Sequence, residues 1–337
     1  MGIAAERLKV MVAHRLTVLK SHLLSLPSFA RLRATGASMD GTAARHEADE
    51  ILAELPDRIS DVVKPFARHS PDHPALVQGD VTWTYAALAA VVADTAVILK
   101  LYDIRPGDRV MIVSENSLAL VALILANSEI DAWSVVANPR LSAREIDLIR
   151  EHSGARRVFY TIEVSDAARQ HADRHDADIA VLRGLGRLGV GSLNRGAVPE
   201  PVELDRSRQV AALVYTSGTT GNPKGVMLTH RNLLFSARAA GAQREPTDKV
   251  YCVLPISHIV GLSAILIASL MAGATVQLGA ASIPPRWLPR SPIMASRCCS
   301  ACRPPFSGCW STRWSPESTG CPAASSAGWP SPARHST

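Results

Sequence analysis

Between Tyr215 and Lys224 the chain places Thr216, Ser217, Thr219 and Thr220, glycines at 218 and 221, and one lysine within ten positions. The apolar stretch Val210–Val214 runs directly upstream, so a strand ends where the hydroxyls begin. Such a strand end suits an anion. Gly218 and Gly221 let the backbone turn its N–H groups toward it, the four hydroxyls add donors, and Lys224 adds a full positive charge. Pro223 limits how far the loop can collapse. The spacing is not that of the G-x-x-x-x-G-K-[ST] loop: Lys224 follows Gly221 after two residues, and Gly225 stands where a magnesium-binding hydroxyl would be. The competing reading is a plain Gly/Ser/Thr turn between two strands, which any five of these residues alone would favour.

The elements that must hold this loop can be read outward from it. Residues 225–228 form a returning strand, and Thr229 caps a helix over 231–240. Upstream, the turn Arg105-Pro106-Gly107-Asp108 opens a buried strand over 109–113. Asn116-Ser117 cap an apolar helix over 118–127, and 133–137 is the next strand. Ser142 and Glu145 make a capping box for a helix ended by Gly154, and 157–161 is a third strand. Strands and helices alternating through short links predict an α/β fold with a parallel sheet and right-handed crossovers. Before these, His73–Val77 pairs with Val81–Thr84 across a Gln78-Gly79-Asp80 turn, and Thr84 caps a helix. After them, a strand over 250–253 leads to LPISHIVGLS, an apolar helix over 259–271, Gly273 and a strand over 275–278. Gly184-x-Gly186-x-x-Gly189 matches a dinucleotide fingerprint, but Ser192–Gly196 and two prolines follow where a helix would have to start; it is read as a mobile loop.

With these residues in view, YTSGTTGNPKGVMLTHRNL resembles the signature of the adenylate-forming superfamily, which includes acyl-CoA synthetases, related CoA ligases, luciferases and peptide-synthetase adenylation domains. Thr84-Tyr85-x-x-Leu88, Asn138-Pro139-Arg140-Leu141 and Pro255-x-x-His258-x-x-Gly261 are similar to further elements of that family. The resemblance covers about residues 60–281. It implies the parallel-sheet βαβ layers of the superfamily's N-terminal domain, incomplete, and a two-step ligase using ATP, Mg2+ and coenzyme A. Thr216, Ser217, Gly218, Thr219, Thr220, Gly221 and Lys224 match its β/γ-phosphate loop, Thr216 a residue near magnesium, and His258 a residue beside the acyl substrate. A lone histidine in an apolar setting is otherwise more often structural. The implied partner is a small-molecule carboxylate, a fatty acid first and an aryl acid next.

The family's later elements have no counterpart here: the Tyr-Gly-x-Thr-Glu segment, the ribose-binding Asp, the hinge, and the C-terminal domain with its adenylation lysine. Composition shifts at the same place. Residues 283–337 hold six Arg, no Lys and one Glu, so residues 1–282 carry only +1 of the net +6. Five of the six cysteines, four of the six tryptophans and ten of the 22 prolines also fall in that tail. Cys299-x2-Cys302 suggests zinc or a disulfide cluster, with nucleic acid as a related reading of the basic charge. A slipped reading frame accounts for more. If each original codon combined one present third base with the next two bases, Met294-Ala295 would encode Gly and Cys298-Cys299 would encode Leu. The recovered text from Ser282 onward reads as an amphipathic helix followed by a strand. The expected layout is therefore a basic helical extension and linker over 1–56, a partial adenylate-forming domain over 57–281, and an out-of-frame, disordered tail over 282–337. Such a chain would be a truncated and inactive ligase, or a non-catalytic nucleotide- or acyl-binding fragment.

The body's near-neutral charge argues against a nucleic-acid surface. Residues 1–35 are basic with Leu8, Val12, Leu16 and Leu19 at helical spacing, which allows weak membrane-surface contact. They lack a secretory core and cleavage site, and no run approaches the ~20 apolar residues of a membrane span. The expected location is cytoplasmic.

Overall fold

The computed structural model describes residue 49 and residues 51–203, 205, 207–216 and 223–279. Expectations about the basic N-terminal helix, the frame shift and the tail cysteines fall outside the described residues. The described chain forms two sheets. Strands β1 (Pro74–Gln78) and β2 (Val81–Thr84) form an antiparallel pair, as the turn residues predict. β3 (Arg109–Val113), β4 (Trp133–Ala137), β5 (Arg157–Tyr160), β6 (Asp178–Leu182), β7 (Gly186–Val190), β8 (Val210–Thr216) and β9 (Lys224–Thr229) make the larger sheet, in the order β6-β7-β5-β3-β4-β8-β9. Its centre, β5-β3-β4-β8, is parallel, and antiparallel strands flank it on both sides. β10 (Lys249–Cys252) and β11 (Thr275–Leu278) join β1 and β2 in a four-stranded sheet ordered β10-β11-β1-β2.

The central strands are apolar at successive positions rather than alternate ones because both faces of the sheet are covered. From β3, Val110 and Ile112 enter one cluster, while Met111 and Val113 enter the other. The first cluster is built on α2 (Tyr85–Leu101) and α3 (Leu118–Glu129), and the short α1 (Lys64–His69) packs at its margin. The second is built on α4 (Ala143–Ser153) and α5 (Asp166–Arg174). α3 is buried at every position but Glu129, with Leu120, Leu123 and Ile124 wholly inaccessible. Each such side chain contributes roughly 1.5–3 kcal/mol of burial.

Local signals set the boundaries. Thr84 Oγ1 accepts from Ala87 N at 3.2 Å to start α2, and Ser117 Oγ accepts from Leu120 N at 3.1 Å to start α3. Ser142 and Glu145 form the predicted capping box of α4, which ends at Gly154 with φ 58°. Thr229 and Asn232 form another for α6 (His230–Ala240).

Two expectations need correction. Ser117 alone caps α3; Asn116 points elsewhere. Gly184-x-Gly186 is no mobile loop but the tight turn of the β6–β7 hairpin, with φ 77° and 76°, values that cost glycine little. β7 then pairs with β5, and no helix starts where a dinucleotide would need one. The buried helix expected over 259–271 is present, as a π-helix over Val260–Ile267 continued by the short α7 (Ala268–Met271). An all-apolar run carries no phase by which a π turn could be told from an α turn.

The irregular connection from β7 to β8 is held by arginines at the amino ends of the strands. Arg105 Nη2 donates to Ala197 O at 2.9 Å, Arg109 Nη2 to Val198 O at 2.9 Å and Arg156 Nη1 to Asn194 O at 3.0 Å. Arg109 also pairs with Glu200 at 2.6 Å. Gly107 lies so close to Glu200 that a Cβ would sit 1.9 Å from its carbonyl oxygen.

On the α4–α5 side a polar chain runs from the core to the surface. Tyr160 Oη donates to His175 Nδ1 at 2.5 Å, and His175 Nε2 donates to Asp147 at 2.7 Å, which also holds Arg174 at 2.7 Å. Burial holds the His175 imidazole below its ordinary 6.5, with Arg150 and Arg174 acting the same way and Asp147 opposing them. The unfolded chain therefore takes up the proton first. This contribution to stability is complete above about pH 6.5 and is lost as pH falls through the folded-state value. Melting temperatures measured from pH 7.5 to 5 are expected to fall in that window, and His175→Gln to flatten that part of the profile.

Candidate functional site

Because β3, β4, β5 and β8 are parallel, their carboxyl ends share one edge, where ligands of open α/β sheets bind. Ser114, Asn138 and Thr161 follow β3, β4 and β5 there, and Thr216 ends β8. Thr161 Oγ1 donates to Ser114 Oγ at 2.8 Å, and Ser114 Oγ lies 3.2 Å from Ser117 Oγ, so buried hydroxyls brace the edge from below.

At that edge β8 turns back into β9. The two strands pair from Val210↔Thr229 to Thr216↔Lys224, so Thr216 and Lys224 face each other at the base of the loop. Both are exposed. Lys224 makes no ion pair among the described residues. Ser217, Gly218, Thr219, Thr220 and Gly221 fall outside the described residues. The sequence left two bracing features unread. Tyr215 stands opposite Gly225, whose missing side chain leaves room for its ring; a Cβ there would lie 3.1 Å from the ring. Tyr215 Oη meets His152 Nδ1 at 2.9 Å, and the rings cross at 86°. The hairpin is thus pinned to the end of α4.

The second candidate, His258, follows β10. His258 is exposed, and its turn is closed on itself: its N–H donates to Pro255 O at 3.0 Å and its Nδ1 accepts from Val260 N at 3.2 Å. Gly261 sits on the same carbonyl and leaves no room for a side chain, since a Cβ there would lie 2.2 Å from Pro255 O. Pro255, His258 and Gly261 therefore form one compact bend. It is tied to the ligand edge by Asn116, just past β3, whose side chain bonds Cys252, Leu254 and Ile256. Cys252, the single cysteine among the described residues, is buried beneath, its thiol pushed up to about 12 by burial.

Among the described residues no group of three or more His, Cys, Asp or Glu side chains could hold a metal ion. No described helix is long and apolar enough to cross a membrane.

Together these features define an α/β domain whose polar loops gather at the carboxyl ends of a doubly covered parallel sheet. The AMP-binding enzyme family matches residues 63–290, and the chain belongs to that family. It is 30% identical over 256 residues to 4-coumarate–CoA ligase 3 of Oryza sativa subsp. japonica, covering 70% of this chain and 46% of that protein. It is 33% identical over 223 residues to a feruloyl-CoA synthase of Amycolatopsis sp, covering 65% and 43%. It is also 31% identical over 203 residues to the long-chain-fatty-acid–CoA ligase FadD13 of Mycobacterium tuberculosis, covering 58% and 40%. The matches span less than half the length of these relatives. Among solved structures, the inhibitor-bound N-terminal domain of FACL13 from Mycobacterium tuberculosis is similar with a TM-score of 0.53 at 27% identity. That alignment covers 66% of this chain and 57% of that one. Apo MbtA of Mycobacterium smegmatis gives 0.56 at 25% identity, covering 70% and 46%.

The compact bend can be tested directly. Gly261→Ala must displace the Pro255 carbonyl and is expected to cost about 1–3 kcal/mol in urea unfolding. Gly196→Ala, where the nearest contact would be an ordinary 3.5 Å, is the control and should stay within about 0.5 kcal/mol.

Proposed function

We propose that this chain carries the ATP- and acid-binding edge of an acid–thiol ligase. In the first half-reaction a carboxylate oxygen bonds to the α-phosphorus of ATP and pyrophosphate leaves. In the second, the thiol of coenzyme A attacks the acyl carbon and AMP departs. The observation that carries this reading is the β8–β9 hairpin. It closes on an exposed Thr216–Lys224 pair at the carboxyl edge of the sheet, within a domain of the AMP-binding enzyme family.

In this reading Lys224 neutralises the β/γ-phosphates and the departing pyrophosphate, with the Thr216 hydroxyl and residues 217–221 donating around them. Thr216 is the residue of this chain assigned to the neighbourhood of Mg2+, which would share the phosphate charge. His258 borders the carboxylate. The relatives' names fall into two classes of acid, aryl acids such as coumarate and ferulate and long-chain fatty acids. We therefore infer an aryl or fatty carboxylic acid rather than a small polar one.

Purified 337-residue chain is expected to melt at a higher temperature in ATP with Mg2+, and higher again when either 4-coumarate or dodecanoate is added. Lys224→Met should remove the ATP-dependent shift. It should leave the unliganded protein within about 0.5 kcal/mol of its original stability, because the side chain is exposed. Undiminished ATP binding by Lys224→Met would sink the assignment. Carboxylate-dependent ATP–pyrophosphate exchange then reports whether residues 1–337 perform the first half-reaction unaided.

A further inference from the structure

We propose that Asn116 is a positioning residue for the acid-side loop, holding His258 against the carboxyl edge of the large sheet; this rests on the ligase reading above. The residue is 5% exposed, and its amide is bonded from both ends. Nδ2 donates to Cys252 O at 3.1 Å and to Leu254 O at 2.9 Å, and Oδ1 accepts from Ile256 N at 2.9 Å. Those three partners belong to alternate residues, so the side chain stands in for a neighbouring strand along residues 252–256. Only a side chain with both a donor and an acceptor can do this. An Asp lacks the donor, and an aliphatic residue would leave the Ile256 N–H without its acceptor and the Cys252 and Leu254 carbonyls with only the longer contacts from Gly279 N at 3.5 Å and Cys252 Sγ at 3.6 Å.

The mount of Asn116 is itself fixed on either side. Ser114 N donates to Ala137 O at 3.2 Å, and Leu118 N donates to Gln78 Oε1 at 2.8 Å. On the loop side, Ile256 adjoins Pro255, whose carbonyl accepts from His258 N. The path from β3 to His258 therefore runs through one side-chain amide, and this joint also links the larger sheet to the strand β10 of the smaller one. A stabilising stitch alone would predict a loss of stability with no selective effect on ligands. A positioning residue predicts a selective one.

The full chain would be compared as wild type, Asn116→Ala, Asn116→Asp and Ser117→Ala. The last weakens the cap of α3 and the contact with Ser114 Oγ, and Ser117 makes no hydrogen bond to the loop. Readouts are melting temperature, hydrogen exchange of peptides spanning 253–262, and calorimetric Kd for ATP with Mg2+ and for N-acylsulfamoyl adenosines bearing dodecanoyl or 4-coumaroyl groups. Asn116→Ala is expected to speed exchange over 256–262 at least about tenfold. It should weaken the better acyl probe about tenfold while changing ATP less than about threefold. Asn116→Asp should move in the same direction, and it carries the test if the alanine variant does not fold. Ser117→Ala should change neither ratio at a similar loss of melting temperature. Equal behaviour of the Asn116 and Ser117 variants would overturn the proposal. If no probe binds the wild type, the ligase reading fails separately, and exchange alone decides whether the clamp exists.

Discussion

Everything functional in this chain hangs on a parallel ladder buried on both faces. β3 lies between β4 and β5, and β8 lies beyond β4, with their buried apolar side chains divided between two clusters. A ladder of this kind has no solvated face on which to slip, since a one-residue shift would exchange the contents of the two clusters. Its register therefore fixes where each strand stops. Four carboxyl ends arriving at one edge are what bring hydroxyls, a hairpin lysine and, through Asn116, a histidine-bearing bend into one neighbourhood.

Most of the fold was legible because its determinants are local. Ser117, Thr84, Thr229 and the Ser142/Glu145 box mark helix starts by side chains that bond within three residues, and short apolar runs mark buried strands. The parts that eluded the sequence are those decided at a distance. The separate four-stranded sheet sets Leu76 of β1 opposite Val276 of β11, and a pairing choice at such separation leaves no pattern in either segment. The β6–β7 hairpin was misread because its glycines serve a turn rather than flexibility. The π-helix was missed because a run apolar on every side has no period to analyse.

The site divides in the same way. Motif spacing singles out Thr216, Lys224 and His258 as candidates, and the structure sets Thr216 opposite Lys224 while placing His258 on a bend tied to the same edge. Tyr215, His152 and Asn116 act through contacts that cross 63 to 140 residues of sequence; the motif contains Tyr215 and the capping pattern contains Asn116, but neither reveals those contacts. An asparagine before a serine at a helix start is an ordinary capping pattern. Nothing in the neighbouring residues announces that its amide bonds elsewhere.

The opposite end of the ladder has a different character. There Arg105, Arg109 and Arg156 grip the carbonyls of Ala197, Val198 and Asn194. A guanidinium bound to a neutral carbonyl owes little to long-range attraction, so counterions that would weaken the exposed Arg109–Glu200 pair leave these bonds in place. The strap behind the sheet stays seated across a wide range of ionic strength. The β7–β8 connection is thus anchored at the end of the sheet away from Thr216 and Lys224.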